Sequence, residues 1–213
     1  MKCQFCNKYA GFMKGFHSEC KSKAEKCMKA IQHIVNVYNQ DGIDFVDARQ
    51  AIIDLIASNE FYYNYLGNCV HTKSDIRTNE FLIHVETSLS VYESKNRKTM
   101  VRTGLSYARY PKWRISSCKI EEMATVALTD RSIYIIGING VMIYPYNKIV
   151  NIGYENGHAY FDVKTSSSYP HRFKIKSTEN KDLLKPQNIT LFLNLLCDWN
   201  NSQCIRPHPL CLH

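Results

Sequence analysis

Four residues near the beginning of the chain constrain its folding more than any other feature. Cys3, Cys6, His17 and Cys20 form the pattern C-x2-C-x10-H-x2-C. Two closely spaced pairs joined by a loop can converge on one ion, and thiolate and imidazole are ligands that Zn2+ prefers. Because four protein ligands leave no open position for water or substrate, the spacing predicts a structural zinc site. Free thiols are the alternative, but a chance C-x2-C is rarely followed so soon by H-x2-C.

The remaining cysteines do not form a regular framework. The chain contains nine cysteines, an odd number, so a disulfide scaffold is not expected. Near the C-terminus, Cys204, His208 and Cys211 lie close together in the sequence and are candidates for a second metal site. A tail without a metal is the alternative interpretation of these residues.

The composition favours a protein with a sizeable core in a reducing compartment. The chain has 213 residues, of which 45% are hydrophobic. No segment approaches the roughly 18 uninterrupted apolar residues of a membrane-spanning helix, and the first residues lack the apolar centre of a signal peptide. We therefore expect a cytoplasmic protein, in which thiolate ligands stay reduced.

The net charge of +8 is unevenly distributed along the chain. Residues 1–30 carry seven lysines and two glutamates, hence +5, residues 31–70 carry −4, and residues 71–120 carry +6. Two basic regions separated by an acidic one indicate an anionic partner, either nucleic acid, phospholipid or an acidic protein. Simple solvation of exposed charges is the alternative.

Two helices are predicted after the metal-binding segment. Apolar residues recur at three- and four-residue steps between Cys20 and Tyr38, and Asp41-Gly42 ends the pattern. A second apolar stripe covers residues 45–58, so the two helices are expected to pack as a helical hairpin. The aromatic residues between positions 61 and 66 are expected in the core, with base stacking as the alternative.

Residues 79–175 have the pattern of short strands. β-Branched and aromatic residues are enriched at 81–85, at 89–92 and in six further runs after residue 123. Asn139-Gly140 and Asn156-Gly157 indicate tight hairpin turns. A mostly apolar helix that begins near Pro186 is expected to cover one open end. The pattern predicts an α+β fold in which an antiparallel meander or barrel is capped by a C-terminal helix.

The most basic window is residues 95–119, which contain eight cations and no acidic residue. If the window forms a hairpin, strand alternation places several of these charges on one face. We therefore take it as a candidate surface for an anion or a partner. A solvated edge strand that charge protects against aggregation is the alternative. The candidate binding residues are Arg97, Lys98, Arg102, Arg109, Lys112 and Arg114.

Two parts of the sequence resemble known families. The run 126–137, VALTDRSIYIIG, and the run 143–152, IYPYNKIVNI, resemble the GRAM-like and bacterial PH-like pattern. In that pattern a strand ends in Leu-Thr, and a later strand runs into Pro-Tyr-x-Lys-Ile. The N-terminal segment resembles a small treble-clef-like zinc finger, and the combination is similar to bacterial proteins that join such a finger to a PH-like domain.

The resemblance implies a division of the chain and a class of function. It implies a zinc finger at 1–22, a helical hairpin at 23–70, a PH-like antiparallel β-barrel or sandwich at 71–203 and a tail at 204–213. PH-like folds bind anionic lipids, peptides or proteins. The implied function is a non-catalytic interaction module with a structural Zn2+ ion and either a protein partner or an anionic membrane surface.

Nucleic-acid binding of low sequence specificity is the second functional hypothesis. Lys8, Lys14 and Lys21 surround the finger, where lysines could neutralise phosphates and Tyr9, Phe12 or Phe16 could stack on bases. An enzyme is the third hypothesis, since distant residues can assemble a catalytic group. The sequence contains no Gly-rich phosphate loop, nucleophile elbow or paired-carboxylate motif, so neither catalysis nor a small-molecule substrate is predicted.

Overall fold

The structure is a computed structural model in which helices precede and follow a single antiparallel sheet. It describes residues 1–12, 15–41, 45–70, 76–77, 79–102, 109–166, 170–178 and 184–203. Within these ranges, the side chains at 41, 45–46, 95–102, 109–115 and 201–203 lie outside the description. The elements are α1 (Ser18–Asp41), α2 (Phe45–Ser58), α3 (Glu60–Cys69), β1 (Leu82–Arg102), β2 (Arg109–Thr129), β3 (Ser132–Gly137), β4 (Gly140–Pro145), a 3-10 turn (Tyr146–Lys148), β5 (Ile149–Glu155), β6 (His158–Val163), β7 (His171–Ser177) and α4 (Leu184–Gln203).

The aromatic run after α2 forms a helix of its own, which the sequence pattern did not predict. The Asn59 side chain caps α3 by accepting a hydrogen bond from the Tyr62 N–H at 3.0 Å. Tyr62 and Leu66 lie four residues apart and are both buried, whereas Tyr63 between them is 54% exposed. The expectation that this run contributes to the core is therefore correct for one face of the helix.

All strand pairs in the seven-stranded sheet are antiparallel, and the strand order is β4-β3-β2-β1-β7-β6-β5. The α+β prediction is confirmed, but the sheet is not closed into a barrel, since β4 and β5 are its two edges. The 3-10 turn between these strands has a fully buried Tyr146, whose hydroxyl donates to the Thr129 carbonyl oxygen at 2.8 Å. Helix α4 packs on this turn and on β5, β6 and β7. Side-chain packing against a helix therefore replaces hydrogen bonding between the edge strands.

Strands β1 and β2 are each 21 residues long and form one extended hairpin. The sequence predicted two separate strands at 81–85 and 89–92, but the structure joins them in β1 through an irregular register between Glu86 and Tyr92. Ser88 has a φ of 61° and Met123 on β2 a φ of 59°, both in the left-handed region that non-glycine residues rarely adopt. Bulges of this kind bend a strand without ending it.

The predicted turns are present in the β3–β4 and β5–β6 hairpins. Asn156 and Gly157 both have positive φ, 52° and 76°, as a tight hairpin requires. In the β3–β4 hairpin, Gly137 pairs with Gly140, so the loop is residues 138–139. Gly140 has a φ of 126° and begins β4, so the loop lies one position earlier than the Asn139-Gly140 pattern suggested.

The helices and the sheet share one buried core. Ile31 on α1, Ile56 on α2 and Phe192 on α4 belong to the same apolar cluster as the sheet side chains. Helix α4 contacts both α1 and α2 on one side and the sheet on the other, which explains why so much of its surface is apolar. None of the described helices is long and apolar enough to cross a membrane.

Candidate metal centre

The first two candidate ligands are positioned by a tight backbone turn, which we call the knuckle (residues 1–12). Lys2 and Tyr9 form an isolated antiparallel bridge. The Cys3 N–H donates to the Lys8 carbonyl oxygen at 2.7 Å, and the Asn7 N–H donates to the Cys3 carbonyl oxygen at 2.8 Å. Asn7 has a φ of 58°, a conformation that asparagine tolerates better than most residues. The turn therefore brings the side chains of Cys3 and Cys6 to the same side.

The other two candidate ligands are positioned by the beginning of α1. His17 directly precedes the helix, and its carbonyl oxygen accepts the first helical hydrogen bond, from the Lys21 N–H at 3.0 Å. Cys20 lies in the first turn. Residues three apart are neighbours on a helix surface, so His17 and Cys20 converge as the sequence predicted.

The four side chains meet in a geometry that can hold a metal ion. The ligand atoms of Cys3, Cys6, His17 and Cys20 all lie within 4.8 Å of one another. His17 Nδ1 is 3.4 Å from Cys6 Sγ and 3.8 Å from Cys20 Sγ. A tetrahedral zinc site with Zn–S near 2.3 Å and Zn–N near 2.0–2.1 Å separates nitrogen from sulfur by about 3.6 Å. The donor set and its spacing therefore fit Zn2+.

Hydrogen bonds from outside the ligand set fix the imidazole. His17 Nδ1 faces the sulfur atoms, while His17 Nε2 lies 3.1 Å from the Tyr9 carbonyl oxygen. This arrangement makes Nε2 the protonated nitrogen and leaves the Nδ1 lone pair for a metal. The backbone N–H of His17 also donates a hydrogen bond to Cys3 Sγ at 3.4 Å. The knuckle and the helix N-terminus thus hold each other in the geometry that a metal ion needs.

The sulfur atoms do not ionise equally easily. Burial opposes ionisation of Cys3, but the backbone N–H groups of His17, Phe5 and Cys6 outweigh it and lower the Cys3 pKa to about 6. Burial, followed by interaction with Cys6, raises the Cys20 pKa to about 11. Negative charge on one sulfur therefore discourages charge on the next, and a bound divalent cation removes that repulsion.

Helix α3 holds the knuckle against the rest of the molecule. Phe5 is buried, and its ring stacks on that of Tyr65 with centroids 5.2 Å apart. The Asn64 side-chain amide donates to the Phe5 carbonyl oxygen at 3.3 Å. The Asn68 amide donates to the Gln4 carbonyl oxygen at 2.7 Å and to Asn7 Oδ1 at 3.1 Å. The sequence interpretation missed these contacts, although the two asparagines stand four residues apart on one face of a helix.

The basic window predicted from sequence is a two-stranded ribbon that extends beyond the sheet. Strand β7 pairs with β1 only from Leu89 to Ser94, and β3 pairs with β2 only from Thr125 to Leu128. The hairpin continues as a pair of strands, residues 95–102 and 109–116, which we call the basic ribbon. Eight residues span about 26 Å at about 3.3 Å per residue.

The ribbon register places cations opposite cations. Arg97 pairs with Arg114, and Arg102 pairs with Arg109. Like charges directly opposite each other destabilise an antiparallel pair unless an anion lies between them. The backbone of all six candidate residues is described, but their side chains lie outside the description, and so do Lys14, Cys204, His208 and Cys211. Lys8 and Lys21 are described and exposed.

Two other ionisable side chains inside the fold, His84 and Arg49, have structural partners. His84 Nε2 lies 3.1 Å from Glu86 Oε1, and the imidazole stacks on Phe192 at 4.2 Å inside the core. Arg49 lies over the Trp199 ring at 3.3 Å and 3.6 Å from the Asp130 carboxylate. Within the described ranges, the Cys3–Cys6–His17–Cys20 cluster is the only group of three or more metal-binding side chains.

Comparison with known proteins adds no family to these observations. No protein-family model matches the chain, and no curated protein is significantly similar to it. The metal cluster, the fold and the distribution of charge therefore carry the functional conclusions.

Proposed function

We propose that this protein is a non-catalytic interaction module in which a structural Zn2+ ion orders the N-terminus and a PH-like sheet presents the basic ribbon to an anionic membrane surface. The single observation that carries the proposal is the ribbon itself. Its sixteen residues include seven cations and no acidic residue. A projecting structure of this composition is suited to a surface of negative charge.

The assignment of Zn2+ rests on the donor set. Three cysteines and one histidine in a four-ligand cluster are a combination typical of structural zinc sites. Among the described residues of the segment 1–20, Cys3 and Phe5 are the only buried apolar side chains, so a metal ion has a clear role in ordering them. The closed ligand set supports stabilisation of structure and not metal catalysis.

The assignment of a PH-like fold is supported by the order of elements. Seven antiparallel strands are followed by one helix that packs across β5, β6 and β7. The segments 126–137 and 143–152, which carry the sequence resemblance, form β2 to β5 of this sheet. Such folds serve mainly as binding modules, although a fold alone does not define a ligand.

An exposed apolar tip favours a membrane over an acidic protein. Ile138 in the β3–β4 loop is 90% exposed. Its N–H and that of Asn139 donate to the buried Glu121 carboxylate on β2 at 3.2 and 3.3 Å. Glu121 pairs with Val91 inside the sheet and is five residues from Ser116, where the ribbon begins, so the apolar tip lies on the β2 side of the sheet about 16 Å along the strand from the ribbon. Apolar side chains combined with cations are typical of segments that bind at a membrane interface.

Flotation with liposomes tests this proposal. Zinc-loaded protein should float with vesicles that contain phosphatidylserine, and not with phosphatidylcholine alone, and salt should reduce the bound fraction. Replacing Arg97, Lys98, Arg102 and Lys112 by glutamine should weaken binding at low salt by up to about 4 kcal/mol, since each cation near an anionic surface contributes about 1 kcal/mol.

Exposed lysines away from the ribbon provide the matched control. Lys29 on α1 and Lys148 in the 3-10 turn are both exposed, and their replacement by glutamine should leave flotation almost unchanged. If the wild-type protein does not float at any salt concentration, the membrane proposal is wrong, and an acidic protein or a nucleic acid becomes the expected partner of the ribbon.

A further inference from the structure

Three exposed aromatic side chains lie in the segment that carries the metal ligands. Tyr9 is 70% exposed, Phe12 is 89% exposed and Phe16 is 39% exposed. These three rings fall within eight residues of sequence. An exposed apolar group of this density in a folded protein usually marks a binding surface.

Lysines stand directly beside these rings. Lys2 is the cross-strand partner of Tyr9 in the knuckle bridge, which places their Cβ atoms about 4.5–5.5 Å apart on one face. Lys8 precedes Tyr9 and is exposed. The Lys21 ammonium lies 5.1 Å from the centroid of the Phe16 ring. Tyr9 and Phe16 therefore each have a lysine close to the ring or next to it in the sequence.

The charge of the surrounding segment remains positive when the metal is bound. Residues 1–30 have a formal charge of +5, and three thiolates with one Zn2+ reduce it by one. Only two acidic residues occur there, and one of them, Glu25, is paired with Lys21 at 3.6 Å. An acidic protein would satisfy the charge but would not need three exposed aromatic rings.

We propose that the knuckle surface, formed by Lys2, Lys8, Tyr9, Phe12 and Phe16, binds single-stranded nucleic acid. Bases stack on the exposed rings, and lysines neutralise the neighbouring phosphates. Paired bases in a duplex are not free to stack on side chains, so the single-stranded form is the one that this surface fits. This surface is formed by a different segment of the chain from the basic ribbon and does not depend on membrane binding.

Binding at this surface is coupled to the metal. His17 Nε2 contacts the Tyr9 carbonyl oxygen at 3.1 Å, so the imidazole that faces the ion also fixes the backbone that carries Tyr9. Removing the metal releases that contact and the rings with it. Nucleic-acid binding is therefore expected to require zinc.

Fluorescence anisotropy with labelled oligo(dT) and oligo(U) tests the proposal on the zinc-loaded, full chain. Tyr9→Ala and Phe12→Ala should each weaken binding about 5- to 150-fold, the range for loss of one base–aromatic stack. Tyr63→Ala, which removes an exposed ring on α3, is the matched control and should leave affinity unchanged. Lys8→Gln should reduce the slope of log K against log salt by about 0.7, whereas Lys148→Gln should not.

The outcomes separate this site from the basic ribbon. The proposal is supported if the two ring variants lose oligonucleotide binding but still float with anionic vesicles as well as the wild type does. It is overturned if the wild type does not bind at low salt, if both ring variants bind like the wild type, or if a chelator that removes zinc leaves affinity unchanged. Equal affinity for single-stranded and duplex DNA would also contradict it, because stacking would then have no role.

Discussion

Replacing Cys6 by serine should release the metal ion and unfold the knuckle while the sheet remains folded. Cys6 supplies one of the four ligand atoms, and its Sγ lies 3.4 Å from the ligand nitrogen of His17. A structural zinc ion contributes about 10–16 kcal/mol of apparent binding free energy in zinc-finger peptides. The question is whether the contacts with α3 are strong enough to keep the knuckle ordered without it.

The structure allows those contacts to be weighed. Burial of the Phe5 side chain contributes about 1.5–3 kcal/mol, and the three amide hydrogen bonds from Asn64 and Asn68 contribute about 0.5–1.5 kcal/mol each. Together they amount to about 3–7.5 kcal/mol. Ordering the backbone of twelve residues costs about 12–24 kcal/mol, which these contacts offset only when the metal contributes as well.

Zinc content and hydrogen exchange measure the two parts of this prediction. The Cys6→Ser variant should contain no zinc, and its amides in residues 1–12 should lose protection while amides in β2, β3 and β7 keep it. Cys118→Ser is the matched control, because Cys118 is exposed and lies outside the metal cluster. Full zinc content in the Cys6 variant would refute the ligand assignment, and protected knuckle amides without zinc would refute the estimate of the contacts.

Two further predictions concern the sheet. Tyr146→Phe should lower the free energy of unfolding in urea by about 1–3 kcal/mol, because the buried Thr129 carbonyl oxygen loses its hydroxyl partner; no change in the denaturation midpoint would contradict this. Burial opposes ionisation of Asp162, but its two hydrogen bonds from Arg172 at 2.7 and 2.8 Å outweigh it and lower the Asp162 pKa. The stability from this pair is complete above the unfolded-state pKa of about 4 and is lost as the pH falls through the lower folded-state pKa. Asp162→Asn should therefore destabilise the protein by about 1–3 kcal/mol at neutral pH and by less at pH values below the folded-state pKa, whereas an equal loss at both would argue against the ion pair.

The sequence predicted correctly those features that depend on residues close together in the chain. Within each pair of metal ligands, two residues separate the first ligand from the second. A turn or a first helical turn of that length has few conformations, so the spacing alone predicted that the ligands converge. The stripe from Cys20 to Tyr38 became α1, which ends at Asp41. Asn156-Gly157 became a hairpin turn because both residues accept positive φ.

The sequence interpretation differed from the structure where local pattern was ambiguous. The sequence predicted separate strands at 81–85 and 89–92, but a bulge at Ser88 allows β1 to continue through both. The aromatic run that forms α3 has few strong helix formers, and its helical state depends on burying Tyr62 and Leu66. The barrel expected from seven strands stays open at β4 and β5, and α4 packs on β5 and on the 3-10 turn that contains Tyr146.

Only the tertiary structure decided which distant segments meet. The sequence by itself determined the ligand set, the hairpin turns and the concentration of positive charge in residues 95–119. The docking of the knuckle on α3, the position of α4 between the helices and the sheet, and the extension of the ribbon beyond β3 and β7 depend on contacts between residues far apart in the chain. Many pairings of such segments bury similar apolar area, and packing of the whole core selects one of them.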